Sequence, residues 1–278
     1  MRSLVGRFVA LCHLGLWGPN SQFQPACYTV GVAHSGCLEA ARIFPKDLCL
    51  NRSVGIAWLI HLYTSLGLVC ALFALLALVN DQPLGVFFWL VLAFAIDASD
   101  GVLARWAQVK THIPHFSGRK LDDITDYLNY TFIPVCFIYQ QGLLSDVWLP
   151  VLGFTLIASA YGFCSETAKT ADGFFTGFPS YWNVVAFYLY LLELPSAIAG
   201  VLILLLAAMT FWPVRYLYPS KSKKSQLFSV GGGALWGVLC LWLVLQPQPP
   251  YTVVVASLAY PLWYMVYSFY LHYTLPQD

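Results

Sequence analysis

The chain reads Leu84-Gly-Val-Phe-Phe-Trp-Leu-Val-Leu-Ala-Phe-Ala-Ile-Asp97-Ala-Ser-Asp100-Gly101-Val-Leu-Ala104-Arg105 where a long apolar run ends in two acids. A run of this length is sufficient for a helix that crosses a bilayer. A second pair of acids, Asp122 and Asp126, follows across a short basic loop. Four carboxylates near a membrane boundary repel one another unless cations neutralise them. The sequence therefore predicts a membrane-spanning helix with a divalent-metal site at its end.

Composition supports a membrane protein throughout. Of the 278 residues, 59% are hydrophobic and 10% are charged, whereas about a quarter of the residues of a soluble domain are charged. So few polar residues cannot cover the surface of a soluble fold. The formal net charge of +1 gives no reason to expect a nucleic acid as partner. The eight cysteines have neither CxxC nor zinc-ligand spacing, so we expect thiols rather than disulfides.

Hydrophobic runs separated by turn residues divide the chain after Val54. We expect an all-α integral membrane protein with about eight transmembrane helices and a single membrane domain over residues 51–278. Residues 1–50 have mixed polarity and no run long enough to span, and we expect a poorly ordered N-terminal extension. The predicted spans are Val54–Val79, Leu84–Arg105, Asp122–Gln140, Val147–Ser165, Tyr181–Leu192, Ser196–Tyr216, Gln226–Leu245 and Thr252–Tyr273.

The positive charges predict the orientation in the membrane. Beyond Arg52, every Lys and Arg lies in or beside alternate connections. The charged residues of the other connections are all acidic. By the positive-inside rule, the aspartate cluster and both termini are expected on the cytoplasmic side. The basic residues concerned are Arg105, Lys110, Arg119, Lys120, Lys169, Arg215, Lys221, Lys223 and Lys224.

Helical spacing predicts that the aspartates form two converging pairs. Asp97 and Asp100 are three residues apart, and Asp122 and Asp126 are four apart, so each pair shares one face of its helix. Asp123 points elsewhere. Hard cations such as Mg²⁺ or Mn²⁺ take oxygen ligands, and two such ions could hold a diphosphate. A carboxylate beside an acceptor hydroxyl could remove its proton.

Two alternatives compete with this interpretation. Paired aspartates at helix ends often serve as caps or solvated charges. They also bind ions in coupled transporters, although such sites usually lie near mid-membrane between broken helices. His61 lies inside the first predicted span and is expected to be a hydrogen-bonded core residue.

The pattern DxxDGxxAR…GxxxDxxxD, formed by residues 97–105 and 118–126, resembles the signature of the CDP-alcohol phosphatidyltransferases. That family transfers a phosphatidyl or related group from a CDP-linked donor to an alcohol and releases CMP. Twelve residues separate Arg105 from Gly118, and this spacing resembles the bacterial phosphatidylcholine synthases, which join CDP-diacylglycerol to choline. The similarity continues through His61-Leu-Tyr-Thr-Ser and Ser159-Ala-Tyr-Gly-Phe-Cys, and it covers the chain from Val54 onward.

The resemblance implies roles for the motif residues. It assigns Asp97, Asp100 and Asp122 to divalent metal ions, Mn²⁺ or Mg²⁺. It places Asp126 at the same metal site and makes it the base for the acceptor hydroxyl. The positions matching the part of the motif that holds the CDP group are Gly101, Ala104, Arg105 and Gly118. The resemblance also implies a bacterial inner-membrane enzyme, and dimers are usual in the wider family.

Choline carries no N–H donor, so aromatic faces and a nearby carboxylate are its natural partners. Candidates near the cytoplasmic boundary are Glu166, Tyr161, Tyr181 and Trp182. Trp and Tyr also gather at membrane interfaces for purely amphipathic reasons. Serine, inositol phosphate or glycerol phosphate as acceptor remain alternatives, although a phosphorylated acceptor would call for a further basic cluster.

Overall fold

The computed structural model describes residues 52–166, 174–217 and 227–274. The predicted extension over residues 1–50 lies outside the described residues, as do Lys169 and the three lysines from Lys221 to Lys224. Within the described part the chain is predominantly helical, and this confirms the predicted fold class.

The helices follow one another in the order α1 (Arg52–Val79), α2 (Pro83–Trp106), α3 (Val109–His112), α4 (Gly118–Asp126), α5 (Ile133–Gln140), α6 (Leu149–Cys164), α7 (Trp182–Leu192), α8 (Ser196–Met209), α9 (Gly232–Val244), α10 (Tyr251–Ser257) and α11 (Ala259–Thr274). A π-helical segment, Tyr127–Phe132, joins α4 to α5, and a second, Leu227–Gly231, precedes α9. A 3₁₀ turn, Asp146–Trp148, precedes α6. Strands β1 (Phe174–Thr176) and β2 (Arg215–Leu217) pair antiparallel.

Four helical stretches in the described part are long and apolar enough to cross a membrane: Arg52–Val79, Pro83–Trp106, Asp146–Cys164 and Tyr251–Thr274. Three further apolar helices are shorter: Trp182–Leu192, Ser196–Met209 and Phe228–Val244. A helix rises about 1.5 Å per residue, so the 11 residues of α7 reach well short of a bilayer core. The predicted runs therefore form helices in the predicted order, while the exact number of eight spans stays a prediction.

The sixth predicted span, Ser196–Tyr216, is too long. Helix α8 ends at Met209, four residues before Pro213, which lacks the N–H group needed to continue a helix. The chain then forms β2, whose Tyr216 and Leu217 are buried. The ribbon depends on Gly177, which has a φ of +83° and donates from its amide to the Val214 carbonyl at 2.9 Å.

The third predicted span, Asp122–Gln140, begins earlier and changes its helical register midway. Helix α4 starts at Gly118, and the helical path continues through the π-helical segment into α5. Pro134 has no N–H to donate to the carbonyl of Tyr130 four residues earlier, which favours a π-helical turn just before it. This segment follows Asp126 directly, so the change of register lies next to the acidic residues.

The twelve-residue spacing between Arg105 and Gly118 accommodates helix α3. Val109 and Ile113 are buried and pack with Ala57 and Ile60 of α1. The connection between the two halves of the motif is therefore anchored to α1 by its own apolar contacts.

Candidate active site

Three of the four motif aspartates converge. Carboxylate oxygens of Asp97 from α2 and of Asp122 and Asp126 from α4 all lie within 4.8 Å of one another. The three side chains are half-buried, so burial and mutual repulsion both disfavour three bare negative charges. Asp100 lines the same cavity, but it lies outside this close group.

The cavity around these carboxylates has about 230 Å³ of space not filled by protein atoms, part of it open to solvent. Besides the four aspartates, its lining includes Thr64 of α1 and Asn129 and Tyr130 of the π-helical segment. Thr64 and Asn129 were not assigned to the site from the sequence. Their position became visible only once α1 and the π-helical segment were placed against the motif helices.

Thr64 anchors Asp100. Its hydroxyl donates to the Oδ2 atom of Asp100 at 2.7 Å, and the aspartate is only 6% exposed. A hydrogen bond to a charged acceptor in such surroundings is stronger than one between neutral groups. The contact fixes the carboxylate at the wall of the cavity and joins α1 to α2.

Tyr130 makes the corresponding contact to Asp97. The tyrosine hydroxyl donates to Asp97 Oδ2 at 2.6 Å, and the tyrosine is buried. One carboxylate oxygen is thereby occupied, which helps to fix the orientation of the group toward Asp122 and Asp126.

Asn129 presents an unpaired acceptor at this cavity. Its side-chain amide nitrogen donates to the carbonyl oxygens of Gly67 and Thr125, both at 2.9 Å. These two bonds fix the amide orientation and leave Oδ1 buried without a hydrogen-bond partner. Hard divalent cations prefer carboxylate and amide oxygens, so the oxygen-rich lining fits such an ion.

Asp123 points away from the cluster, as predicted. Its Oδ2 atom lies 3.7 Å from Nε of Arg119, one helical turn earlier. Both residues line a different cavity, formed with the end of α6 and the segment around β1. Four of the five neighbouring acids therefore share one cavity, and the fifth has a separate partner.

The predicted CDP-binding residues flank the acidic cluster on two helices. Gly101 and Arg105 lie on the last turns of α2, and a Cβ added at Gly101 would meet only the Arg105 guanidinium, at 3.4 Å. Ala104 packs against the apolar cluster that Val109 and Ile113 form with α1. Gly118 is the first residue of α4, one turn before Asp122.

His61 differs from the expectation of a hydrogen-bonded core residue. The side chain is buried, but its Nε2 atom has no hydrogen-bond partner. The ring lies against Gly118, since a Cβ added to that glycine would be 2.9 Å from His61 Cε1. His61, Thr64 and Gly67 are spaced three residues apart on α1, so one helix face meets Gly118, Asp100 and Thr125 in turn.

The four candidate choline-binding residues occupy different surroundings. Tyr181 is half-buried, and its ring centroid lies 6.4 Å from that of Tyr130. Trp182 is 0% exposed and donates from Nε1 to Ser159 Oγ at 2.7 Å, so no ring face is open to a ligand. Tyr161 is exposed beside Phe211, and Glu166 is exposed at the edge of the described segment.

Comparison with known proteins agrees with this arrangement. The family model for CDP-alcohol phosphatidyltransferase matches residues 58–212, more than half of the chain. A protein named phosphatidylcholine synthase from Pseudomonas aeruginosa is 39% identical over 194 residues, covering 69% of this chain and 81% of that protein.

Two further relatives carry the same name. The protein from Legionella pneumophila is 36% identical, over 78% of this chain and 89% of its own length. The protein from Rhizobium meliloti is 33% identical, over 77% and 90% respectively. The matched region contains the whole acidic cluster and the helices that carry it. This chain is an integral membrane protein that belongs to the CDP-alcohol phosphatidyltransferase family.

Proposed function

We propose that this chain is a phosphatidylcholine synthase, which transfers the phosphatidyl group of CDP-diacylglycerol to choline and releases CMP. The observation that carries the proposal is the convergence of Asp97, Asp122 and Asp126 within 4.8 Å inside the family motif. The three relatives described above bear the name of this activity, and each is covered over most of its length.

The acidic cluster is the proposed metal site. Asp97, Asp100, Asp122 and Asp126 would hold two divalent ions, Mn²⁺ or Mg²⁺. When bound, such ions neutralise the diphosphate and stabilise negative charge developing on the transferred phosphoryl group. The hydrogen bonds from Thr64 to Asp100 and from Tyr130 to Asp97 hold two of the ligands in fixed orientations.

Asp126 is the proposed base. The choline oxygen attacks the phosphorus of the phosphatidyl group, its proton passes to Asp126, and the bond from that phosphorus to the oxygen of CMP breaks. Asp126 lines the same cavity as the other three motif aspartates, so an acceptor hydroxyl held beside the transferred group would lie within its reach. The CDP group would lie along Gly101, Ala104, Arg105 and Gly118.

For choline, the surroundings favour Tyr181 among the four candidates. Tyr181 lies between Tyr130, which bonds Asp97, and Tyr264, whose ring centroid is 5.9 Å from that of Tyr181. Aromatic rings beside carboxylates suit a quaternary ammonium. Glu166 and Tyr161 stay predictions from the sequence, whereas the buried Trp182, with no ring face open to a ligand, is left out of the proposed choline site.

The proposal also includes location and assembly. The enzyme would lie in the bacterial inner membrane, with its acidic cluster and both termini facing the cytoplasm, where the basic connections are expected. A homodimer is proposed by likeness to the wider family. The catalytic domain would comprise residues 51–278, with residues 1–50 as an extension dispensable for activity.

Purified protein in detergent tests the acceptor. It is given CDP-diacylglycerol and Mn²⁺ or Mg²⁺, with labelled choline, serine, inositol phosphate or glycerol phosphate in turn. We expect CMP release and a labelled lipid when choline is the acceptor, and neither product with serine, inositol phosphate or glycerol phosphate. CMP release that depends on serine, inositol phosphate or glycerol phosphate and ignores choline would contradict the choline assignment.

A further inference from the structure

We propose that His61 is a positioning residue for the cytidine part of the CDP-linked donor, which it contacts through Nε2. The inference rests on the proposed donor and adds a residue outside the aspartate motif. His61 is 6% exposed, and its Nε2 atom has no hydrogen-bond partner. Burying a polar atom without a partner costs free energy. The ring lies against Gly118, one of the residues predicted to hold the CDP group, so a ligand atom there would complete the hydrogen bonding of Nε2.

The distance between the carboxylates and His61 is compatible with the length of a CDP group. The ring touches Gly118, the first residue of α4, while Asp122 lies one helical turn further along. Four residues of helix correspond to roughly 6 Å. A diphosphate held at the carboxylates would therefore have its nucleoside within reach of the start of α4 and of His61.

Aromatic rings surround the same point. The His61 ring centroid lies 4.5 Å from that of Phe116 and 5.8 Å from that of Trp58. Trp58 and Phe116 pack at 5.3 Å, and both remain partly exposed. Aromatic faces stack with nucleobases without sequence selectivity, so a polar group among them can supply the discrimination. Neutral imidazole offers one donor and one acceptor, which suits the edge of cytosine.

The close contact between His61 and Gly118 explains why a residue without a side chain suits position 118 of the motif. An added Cβ would sit 2.9 Å from His61 Cε1 and would displace the ring. Gly118→Ala is therefore expected to weaken nucleotide binding through His61. Gly55→Ala, on the same helix as His61, is the matched control because an added Cβ there meets nothing within 4 Å.

Binding of CMP and UMP to purified protein in detergent tests the inference by calorimetry, without acceptor or turnover. We expect His61→Phe, which keeps a ring of similar size, to weaken CMP binding about tenfold. The ratio of the affinity for CMP to the affinity for UMP should also fall. His61→Gln should recover part of both. The KM for the acceptor, measured separately, should not change.

Unchanged CMP affinity in His61→Phe would overturn the proposal. Equal losses for CMP and UMP in both variants, together with a lowered melting temperature, would likewise overturn it and assign His61 a packing role. Because no acceptor is present, these outcomes are readable even if the enzyme uses an alcohol other than choline. A failed acceptor assay with intact His61-dependent CMP binding would count against the proposed function alone.

Discussion

The hydroxyl of Thr64 donates to Asp100 Oδ2 at 2.7 Å and joins the first long helix to the acidic cluster. The two residues are 36 positions apart in the sequence. Asp100 lies outside the group formed by Asp97, Asp122 and Asp126, and its partner holds it at the cavity wall. The site is therefore built from four helical elements, α1, α2, α4 and the π-helical segment, although the motif itself lies on two.

Thr64→Val should lower kcat by roughly ten- to hundredfold, because Asp100 loses a buried hydrogen bond to a charged group, an interaction of about 1.5–3 kcal/mol. Thr64→Ser keeps the hydroxyl and should retain most of the activity. The dependence of rate on Mn²⁺ concentration measures the effect, and we expect a higher concentration for half-maximal activity in Thr64→Val. If both variants need the same Mn²⁺ concentration for half-maximal activity, Thr64 has no role at the metal site.

Asp126→Asn should reduce turnover by about 10²–10⁴-fold, the usual contribution of a general base. The folded protein should persist, because the substitution preserves size and removes one negative charge from a crowded cluster. Asp123→Asn is the matched control, since Asp123 pairs with Arg119 at 3.7 Å and lines another cavity. Near-normal turnover of Asp126→Asn in membranes would contradict its role as base.

Removal of divalent ions should abolish activity. Three carboxylates with oxygens within 4.8 Å of one another repel each other, and the proposed reaction needs divalent ions to neutralise both them and the diphosphate. A chelator should stop CMP release, and adding back Mn²⁺ or Mg²⁺ should restore it. Full activity after exhaustive chelation, checked by metal analysis of the purified protein, would exclude a metal-dependent reaction.

Tyr181→Ala should raise the KM for choline roughly two- to thirtyfold, as expected for a lost cation–π contact of about 0.5–2 kcal/mol. Tyr181→Phe keeps the aromatic face and should remain within a few-fold of the unmodified protein. Tyr139→Ala, an exposed tyrosine at the far end of α5, serves as the control. A KM for choline that is unchanged in Tyr181→Ala would remove Tyr181 from the choline site.

Gly67→Ala should destabilise the protein and lower its activity. The added Cβ would clash with Thr125 Cγ2, and Asn129 bonds the Gly67 carbonyl beside it. Overpacking a close helix contact costs typically about 1–3 kcal/mol. Thermal unfolding in detergent should show a lower melting temperature for Gly67→Ala than for Gly55→Ala. Equal melting temperatures would show that the α1–α4 contact adapts without cost.

The pairing of Asp122 with Asp126 was predictable because its geometry is local. Residues three or four apart share a helix face, so the spacing of Asp122 and Asp126 was sufficient to bring them together and to exclude Asp123. The separation of Asp100 from the close group was not visible, since it depends on Thr64 of another helix.

The missed features depend on contacts between distant segments. Asn129 lies in an apolar run whose hydrophobicity does not reveal the π-helical turn or the direction of the amide group. The predicted span Ser196–Tyr216 was too long because most residues between Met209 and β2 are apolar, so hydrophobicity alone does not mark the end of the helix. The strand character of β2 comes from pairing with β1, some forty residues earlier. His61 appeared unremarkable in sequence because its missing partner is a property of the folded structure.

The most direct measurement of the central claim is the lipid composition of a bacterial host that makes no phosphatidylcholine of its own. The host expresses the full chain and grows with labelled choline, and its lipids are identified by mass spectrometry. We predict labelled phosphatidylcholine in cells with the unmodified protein and none in cells with membrane-inserted Asp126→Asn. Absence of phosphatidylcholine while the unmodified protein is present in the membrane, or accumulation of a different phospholipid, would contradict the account.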